Sequence, residues 1–423
     1  MKQFIFKSFD INYSESIATF NYEYDDGQRF TETVTFAKLE GQCDTNVIKG
    51  ALFLAFVLIG ASYLKAFPSA KIVMQYEIDD WQAKFFNSVF QEGLGQFAFE
   101  NNLNRDDLPH FVANVVDSDK PLPYNGSGIL ALQSGGKDSL LTASLLQKAG
   151  KEFTSWYVSS SDFYPEIIDK IGGDLAISKR TIDRESLKKA AEMGGKNGHV
   201  PITYILQSLA LVQAIILGKD TILTSIAHEG EETHSLIGDL EINHQWSKTW
   251  AAEQAFVEYV KRYISPDLKI GSPLRSYSEL RVAELFVKYN WTKYGHDFSS
   301  CNVANYKQGD NNSKLSWCGD CPKCANSYLL FAPFVPSDDL KSLFGGQDLF
   351  AKLSLEKIFK GLLGIDNEPK PFECIGEIEE LRLAYHVSQT LGGFKPLPFE
   401  VPESTFDYMK QYPAQDWAVR ILQ

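Results

Sequence analysis

The run Gly128-Ile129-Leu130-Ala131-Leu132-Gln133 passes without a spacer into Ser134-Gly135-Gly136-Lys137-Asp138-Ser139, and this junction limits the possible folds more than any other segment. The first six residues read as a buried strand. From Lys137 onward, Leu141 and Leu145 stand four apart and Gly150 supplies a stop, which is the pattern of a helix. A strand that turns into a helix through paired glycines belongs to an α/β sheet, where ligands bind beyond the carboxyl ends of strands. Glycine lets the backbone close on a phosphate, and the helix start adds free N–H groups and a favourable dipole. Ser134 and Ser139 can donate hydroxyl hydrogen bonds, Lys137 can neutralise charge, and Asp138 can help hold Mg²⁺ directly or through water. The string is not a Walker A loop, because Asp138 follows Gly136-Lys137 and position 131 is Ala. Gly126-Ser127-Gly128 imitates a dinucleotide fingerprint but precedes its strand, so it is set aside.

The surrounding pattern alternates strand and helix. Residues 153–159, 175–180 and 220–226 read as strands, with helical segments at 185–193 and 203–217, which predicts a parallel sheet covered by helices. Upstream, the first 35 residues alternate in β fashion, with Ala18, Phe20 and Tyr22 on one face and a hairpin turn at Asp25-Asp26-Gly27. A helix at 46–67, a strand at 70–76 and an aromatic-rich helix at 81–99 follow. Residues 117–128 are dense in turn formers and predict a domain boundary. The last 90 residues read as mostly helical, clearest at 350–363 and 376–388. The expected division is an α+β domain over 1–120, a nucleotide-binding catalytic domain over 121–332, and a helical segment over 333–423.

Composition excludes some function classes. Lys plus Arg total 41 against 54 Asp plus Glu, a formal net charge of -13. That balance argues against a general nucleic-acid binder, whose affinity rests on neutralised phosphates, while leaving room for a local basic pocket. The apolar stretch 51–67 is broken by Ser62 and Lys65 and falls short of the about 20 residues a membrane span wants, so it reads as a core helix and no membrane association is expected. The N-terminus lacks the apolar core of a signal peptide, and the expected location is the cytoplasm.

Four of the six cysteines are bunched: Cys301, then Cys318, Cys321 and Cys324 within Trp-Cys-Gly-Asp-Cys-Pro-Lys-Cys. Two CxxC spacings sharing a cysteine put three thiolates on one knuckle, with Cys301 as a fourth, a set suited to structural Zn²⁺. A redox pair or an iron–sulfur cluster are the competing uses. Cys43 and Cys374 read as ordinary buried or isolated thiols. Residues 228–248 carry His228, His234 and His244 with Glu229, Glu231, Glu232 and Asp239. They follow a strand, so they should share the sheet edge with the phosphate loop. Arg275 and Arg281 can grip a carboxylate or phosphate bidentately, though Arg281 equally suits an exposed helix face. Gly198-His199-Val200-Pro201 is either a ligand loop or a helix entry.

The phosphate loop resembles the PP-loop signature of enzymes that cleave ATP between its α and β phosphates. Nearly the whole chain resembles the MurL family of UDP-N-acetylmuramoyl-L-alanyl-L-glutamate epimerases. The likeness is carried by the opening hairpin, Gly60-Ala61-Ser62-Tyr63-Leu64-Lys65, Gly93-Leu94-Gly95, the phosphate loop, Asn243-His244-Gln245-Trp246-Ser247-Lys248, Leu274-Arg275, Cys301-Asn302, the cysteine knuckle and Phe372-Glu373-Cys374-Ile375-Gly376. Trp246 departs from a more usual Tyr. The resemblance implies an isomerase that uses ATP and Mg²⁺ to invert the terminal L-Glu of a UDP-linked muramoyl dipeptide through an acyl-adenylate. It would release AMP and pyrophosphate and serve peptidoglycan precursor synthesis. It implies Ser134 to Ser139 as ATP-binding, Asp138 on Mg²⁺ and Arg275 on substrate. For acid/base work it points first to His244 and Lys248, then to His228 and His234. Alternatives are another PP-loop adenylating enzyme, such as 7-cyano-7-deazaguanine synthase, and a nucleotide-binding regulator without turnover.

Overall fold

The computed structural model describes residues 2–37, 44–117, 120–161, 163–307 and 313–423. Cys43 and part of the turn-rich segment 117–128 lie outside the described residues. The strands are β1 (Gln3–Asn12), β2 (Ile17–Tyr24), β3 (Arg29–Thr35), β4 (Lys71–Met74), β5 (Ile129–Leu132), β6 (Phe153–Ser159), β7 (Asp174–Thr181), β8 (Thr221–Leu223), β9 (Ser235–Ile237), β10 (Leu240–Ile242) and β11 (Lys269–Gly271). Nine of them form one sheet in the order β11-β8-β5-β6-β7-β3-β2-β1-β4.

From β11 to β7 all neighbours are parallel. The chain leaves β5 through the helix Lys137–Lys148 and builds outward through β6 and β7. It then returns to add β8 on the other side of β5. The direction of winding therefore reverses at β5, and a crevice opens beyond the carboxyl ends of strands at such a point. Ser134 to Ser139 occupy that position.

The expected break near residue 120 is not a break in the sheet. β3 of the N-terminal meander pairs antiparallel with β7, Val34 facing Arg180. Turn-forming residues mark where the chain leaves an element, and they carry no information about which strands pair afterwards. The joint is closed by a buried ion pair: Arg180 Nε lies 2.5 Å from Glu32 Oε1, and Tyr63 donates to Glu32 Oε2 at 2.6 Å.

The hairpin alternation holds. Phe4, Phe6, Ala18, Phe20 and Tyr22 face inward, against the helix Thr45–Leu64. That helix is apolar enough by length and composition to cross a membrane, but 83% of its most apolar window is buried inside the protein. It settles onto β1 at Gly60, where a Cβ would stand 2.5 Å from the Phe6 ring. A second core on the other side of the sheet joins Leu140 and Leu141 to the helices Glu279–Tyr294, Pro322–Phe331, Glu356–Leu363 and Ile378–Leu391. Two expectations shift in detail: the helix expected at 350–363 opens as 3-10 turns at Leu349–Ala351 and Leu353–Leu355 and is α-helical only over Glu356–Leu363. The helix expected at 81–99 is two, Asp80–Gln91 and Gly95–Glu100, parted at Glu92-Gly93-Leu94. The strand β11 gave too short an apolar run to be read.

Replacing Glu32 by Ala would leave the Arg180 guanidinium buried without its carboxylate. The expected cost is about 3–5 kcal/mol, measured by urea unfolding. The double variant Glu32→Leu with Arg180→Met is expected to recover most of it.

Candidate active site

At the end of β5 the backbone turns sharply, with Gly135 at φ +77°. A Cβ there would meet Leu315 at 2.7 Å and Ile167 at 3.0 Å, and one on Gly136 would meet Ser300 Oγ at 3.2 Å. Glycine is needed for both conformation and space. Ser139 Oγ accepts from the Ser134 N–H at 3.2 Å and lies 3.3 Å from Ser134 Oγ, so the two hydroxyls brace the loop from inside. The helix begins at Lys137 with Gly136 as its cap and no side-chain cap bond, which leaves its first N–H groups to a ligand.

Behind the loop lies a row of buried charges. Lys137 Nζ is 2.6 Å from Asp138 Oδ1 and 2.5 Å from Glu279 Oε2. Lys248 Nζ is 3.0 Å from Glu229 Oε1. Burial opposes the charge on Lys137, but Asp138, Glu279 and Glu229 outweigh it and hold the amine protonated. Lys248 is likewise held protonated against burial, with Glu229 and Glu279 beside it. Burial alone would raise Glu229, yet Lys248 and Lys137 bring it down to about 2. Glu279 moves upward through burial and the repulsion of Glu229 and Asp138, against the pull of Lys137. The two neighbouring carboxylates are therefore pushed in opposite directions, Glu229 down and Glu279 up.

Lys248 ends a short turn, Trp246–Lys248, held from below by Arg275. Arg275 is fully buried; its Nη1 donates to Ala227 O at 2.8 Å and Lys248 O at 2.7 Å, and its Nε lies 3.3 Å from Glu253. A guanidinium so placed ties two loops together, and its Nη2 faces Glu231 Oε1 at 3.8 Å.

Residues 228–248 form a small hairpin, β9 with β10. His234 donates its N–H to Ile242 O, so the hairpin carries His234 and His244 to the same place. The His244 ring lies 4.6 Å from the His199 ring and 6.5 Å from that of His234. Its Nδ1 is 2.5 Å from Gln96 Oε1 and its Nε2 is 3.8 Å from Cys374 Sγ. Burial lowers all three: His244 to about 4, His199 to about 3 and His234 to about 3. His228 stands apart from them, stacked on Tyr412 at 3.5 Å and 3.6 Å from Glu377.

The sequence reading of Cys374 as an ordinary or isolated thiol is corrected by its place beside His244. Glu279 was missed because only folding brings its helix to the loop. For Cys374 a signal existed in Phe372-Glu373-Cys374-Ile375-Gly376, one of the blocks carrying the family resemblance. A cavity of about 840 Å³ bordered by Phe53, Tyr76 and Tyr263 adjoins the helix leading into β11, at the amino end of the parallel strands, and does not belong to this site.

The four thiols of Cys301, Cys318, Cys321 and Cys324 lie within 4.8 Å of one another and could hold a metal ion. The close pairs are separated by 3.5 to 3.7 Å, near the about 3.8 Å edge of a tetrahedron with 2.3 Å metal–sulfur bonds. Backbone N–H groups of Gly319, Asp320 and Ala304 point at the sulfurs, which favours thiolates.

Because His199 holds its proton less well folded than unfolded, the unfolded chain binds that proton first as the pH drops below about 6.5. Its contribution to stability is lost from there downward until the folded value near 3. His199→Gln is therefore expected to gain about 1 kcal/mol relative to the parent protein between pH 7 and 5.5, measured by paired urea unfolding. Histidine NMR signals of His199, His234 and His244 are expected to stay still over that interval.

Residues 1–272 match the family model of the MurL N-terminal domain, and residues 297–392 that of the MurL C-terminal domain. A protein of Xanthomonas oryzae pv. oryzae named UDP-N-acetyl-alpha-D-muramoyl-L-alanyl-L-glutamate epimerase is 33% identical over 377 residues, covering 88% of this chain and 82% of its own. Proteins with the same name from a Micromonospora species and from Salinispora tropica are 30% and 29% identical, over 90% and 94% of this chain and 85% and 87% of their own. With both halves matched and similarity running through phosphate loop, hairpin and cysteine knuckle alike, the chain belongs to the MurL family.

Proposed function

We propose that this chain is a PP-loop epimerase that inverts the terminal L-Glu of UDP-MurNAc-L-Ala-L-Glu, consuming ATP and releasing AMP and pyrophosphate. The observation that carries this reading is the switch-point loop Ser134 to Ser139 opening beside the buried row Lys137, Glu279, Glu229 and Lys248. The names of the relatives supply the substrate class. UDP-linked precursors and ATP both suit an enzyme of the cytoplasm.

The chemistry explains the pairing of a phosphate loop with a stereochemical inversion. A carboxylate resists loss of its α-proton because a second negative charge would form beside the first. Attack of that carboxylate on the α-phosphate of ATP gives an acyl-adenylate and expels pyrophosphate, and the new carbonyl can accept the electron pair as an enolate. The loop N–H groups and hydroxyls would cradle the phosphates. Lys137 and Lys248 are fixed cations where negative charge develops, each tenfold in rate being worth about 1.4 kcal/mol. Asp138 keeps 28% of its side chain exposed at the loop and, as a hard oxygen donor, suits Mg²⁺ shared with phosphate oxygens. That ion would supply charge neutralisation.

His244 and Lys248 are the acid/base candidates this reading favours, with His234 in their company. His228 lies by Tyr412 and serves better as a wall. Arg275 acts through Lys248, holding its carbonyl, in place of gripping substrate. The thiol set favours Zn²⁺ in a closed structural site, and Ser300 and Leu315, near its ligands in sequence, wall the phosphate loop.

The test is ATP with UDP-MurNAc-L-Ala-L-Glu, followed by pyrophosphate release and chiral analysis of the glutamate. No pyrophosphate and no D-Glu would sink the proposal, and turnover of a deazaguanine acid in its place would redirect it. Ser134→Ala and Asp138→Ala are each expected to abolish pyrophosphate release; Ser134→Ala should leave stability within about 1 kcal/mol, whereas Asp138→Ala also removes a partner of the buried Lys137 ammonium and should lower it by about 1–3 kcal/mol; turnover retained in both would overturn the loop assignment. Elemental analysis is expected to give one zinc per chain. Cys318→Ser should lower thermal stability far more than ATP affinity, because a closed site leaves no position for substrate.

A further inference from the structure

Cys374 takes no part in the tetrahedral thiol set, yet its surroundings are built. Its Sγ lies 3.8 Å from His244 Nε2, and the opposite ring nitrogen is fixed by Gln96. Its backbone carbonyl accepts from Lys323 Nζ at 2.5 Å. The next carbonyl, Ile375 O, accepts from Gln245 Nε2 at 3.2 Å. Gln245, next to His244 in the chain, is 2% exposed, and among the described residues its Oε1 has no hydrogen-bond partner. Lys248 stands one turn on from Gln245, its backbone N–H donating to Gln245 O at 2.7 Å. It reaches in from the phosphate-loop side, where Glu229 holds it, whereas Cys374 enters from the histidine side. The thiol remains half-buried, not sealed.

We propose that Cys374 is the side chain that takes the glutamate α-proton, working as a thiol–imidazole pair with His244 and opposed across the α-carbon by Lys248. This rests on the acyl-adenylate reading above. The thiol proton moves to His244 Nε2 as a thiolate–imidazolium ion pair, in which the adjacent thiolate offsets the burial that lowers the isolated ring, and the thiolate is a good base at carbon. The Cα–H bond breaks, its proton forms S–H on Cys374, and its electron pair moves through the Cα–C bond onto the carbonyl oxygen. The Lys248 ammonium gives a proton to the other face of Cα, the oxygen pair returns, and the configuration is inverted. The site resets when the thiol and imidazolium protons, one more than at the start, return one to the Lys248 amine. All of these protons exchange with solvent, so product formed in D₂O carries deuterium at Cα.

The experiment compares Cys374→Ala and Cys374→Ser with the parent protein in D₂O, reading D-Glu, α-deuterium and pyrophosphate separately. Inversion and deuterium incorporation are expected to fall about a hundred to ten-thousandfold, with pyrophosphate release kept within about threefold. Inversion within about threefold of the parent in both variants would overturn the proposal, as would pyrophosphate release falling in step with inversion. A parent protein that neither inverts nor releases pyrophosphate would defeat the acyl-adenylate reading instead. Should the variants not fold, iodoacetamide labelling of the parent decides. Modification mapped to Cys374 is expected to stop inversion but spare pyrophosphate release and to be slowed by substrate. Protein labelled at Cys374 and still inverting at the parent rate would end the assignment.

Discussion

Lys137 carries a full positive charge almost wholly out of water, and that is tolerable only because Asp138 and Glu279 lie against its amine. A buried cation without such partners would cost several kcal/mol and lose its proton. Much of the site follows from meeting this requirement. The helix Glu279–Tyr294 must bring Glu279 to the phosphate loop, and the excess of carboxylate then calls for Lys248 opposite Glu229. Lys248 in turn is held by Arg275 through a backbone carbonyl. The charges are matched in contact, Asp138 and Glu279 against Lys137 and Glu229 against Lys248.

The frame that carries this row is a single twisted sheet. The antiparallel meander of β1 to β3 extends the parallel half through β7, and the Arg180–Glu32–Tyr63 cluster locks the joint. Consequently Gly198 to Pro201 and the segment around Gln96 sit against the hairpin of residues 235–242, and His199, Gln96 and His244 meet. The N-terminal half therefore helps to build the candidate site. The cysteine cluster has a comparable effect from the other side, since Ser300 and Leu315 flank its ligands and press on Gly136 and Gly135. Fixing those thiols fixes one wall of the loop.

Sequence and structure agree where the signal is local. β5, the loop and the following helix were legible because strand pattern, glycines and helix start are all encoded within about twenty residues. The cysteine knuckle was legible for the same reason, as spacing alone places three thiols on one turn. The hairpin alternation of β1 to β3 was legible because a period of two assigns each side chain to one face. What the sequence left open is long-range: the turn-rich segment near residue 120 does not interrupt the sheet, because β3 pairs with β7, and the burial of Arg275 comes from loops far apart in the chain.

By itself, then, the sequence determined a strand–glycine–helix loop in a parallel sheet, a four-cysteine cluster and a polar segment at the same sheet edge. Each depends on residues close together in the chain, where backbone conformation and side-chain spacing act directly. Only the tertiary structure decided which charges neighbour one another: Lys137 with Glu279, Lys248 with Glu229, His244 with Gln96 and Cys374. These partners are separated by 19 to 148 residues. Burial, which lowers His244 and sharpens each of these charge contacts, is a property of the packed whole and leaves no mark on any local stretch of sequence.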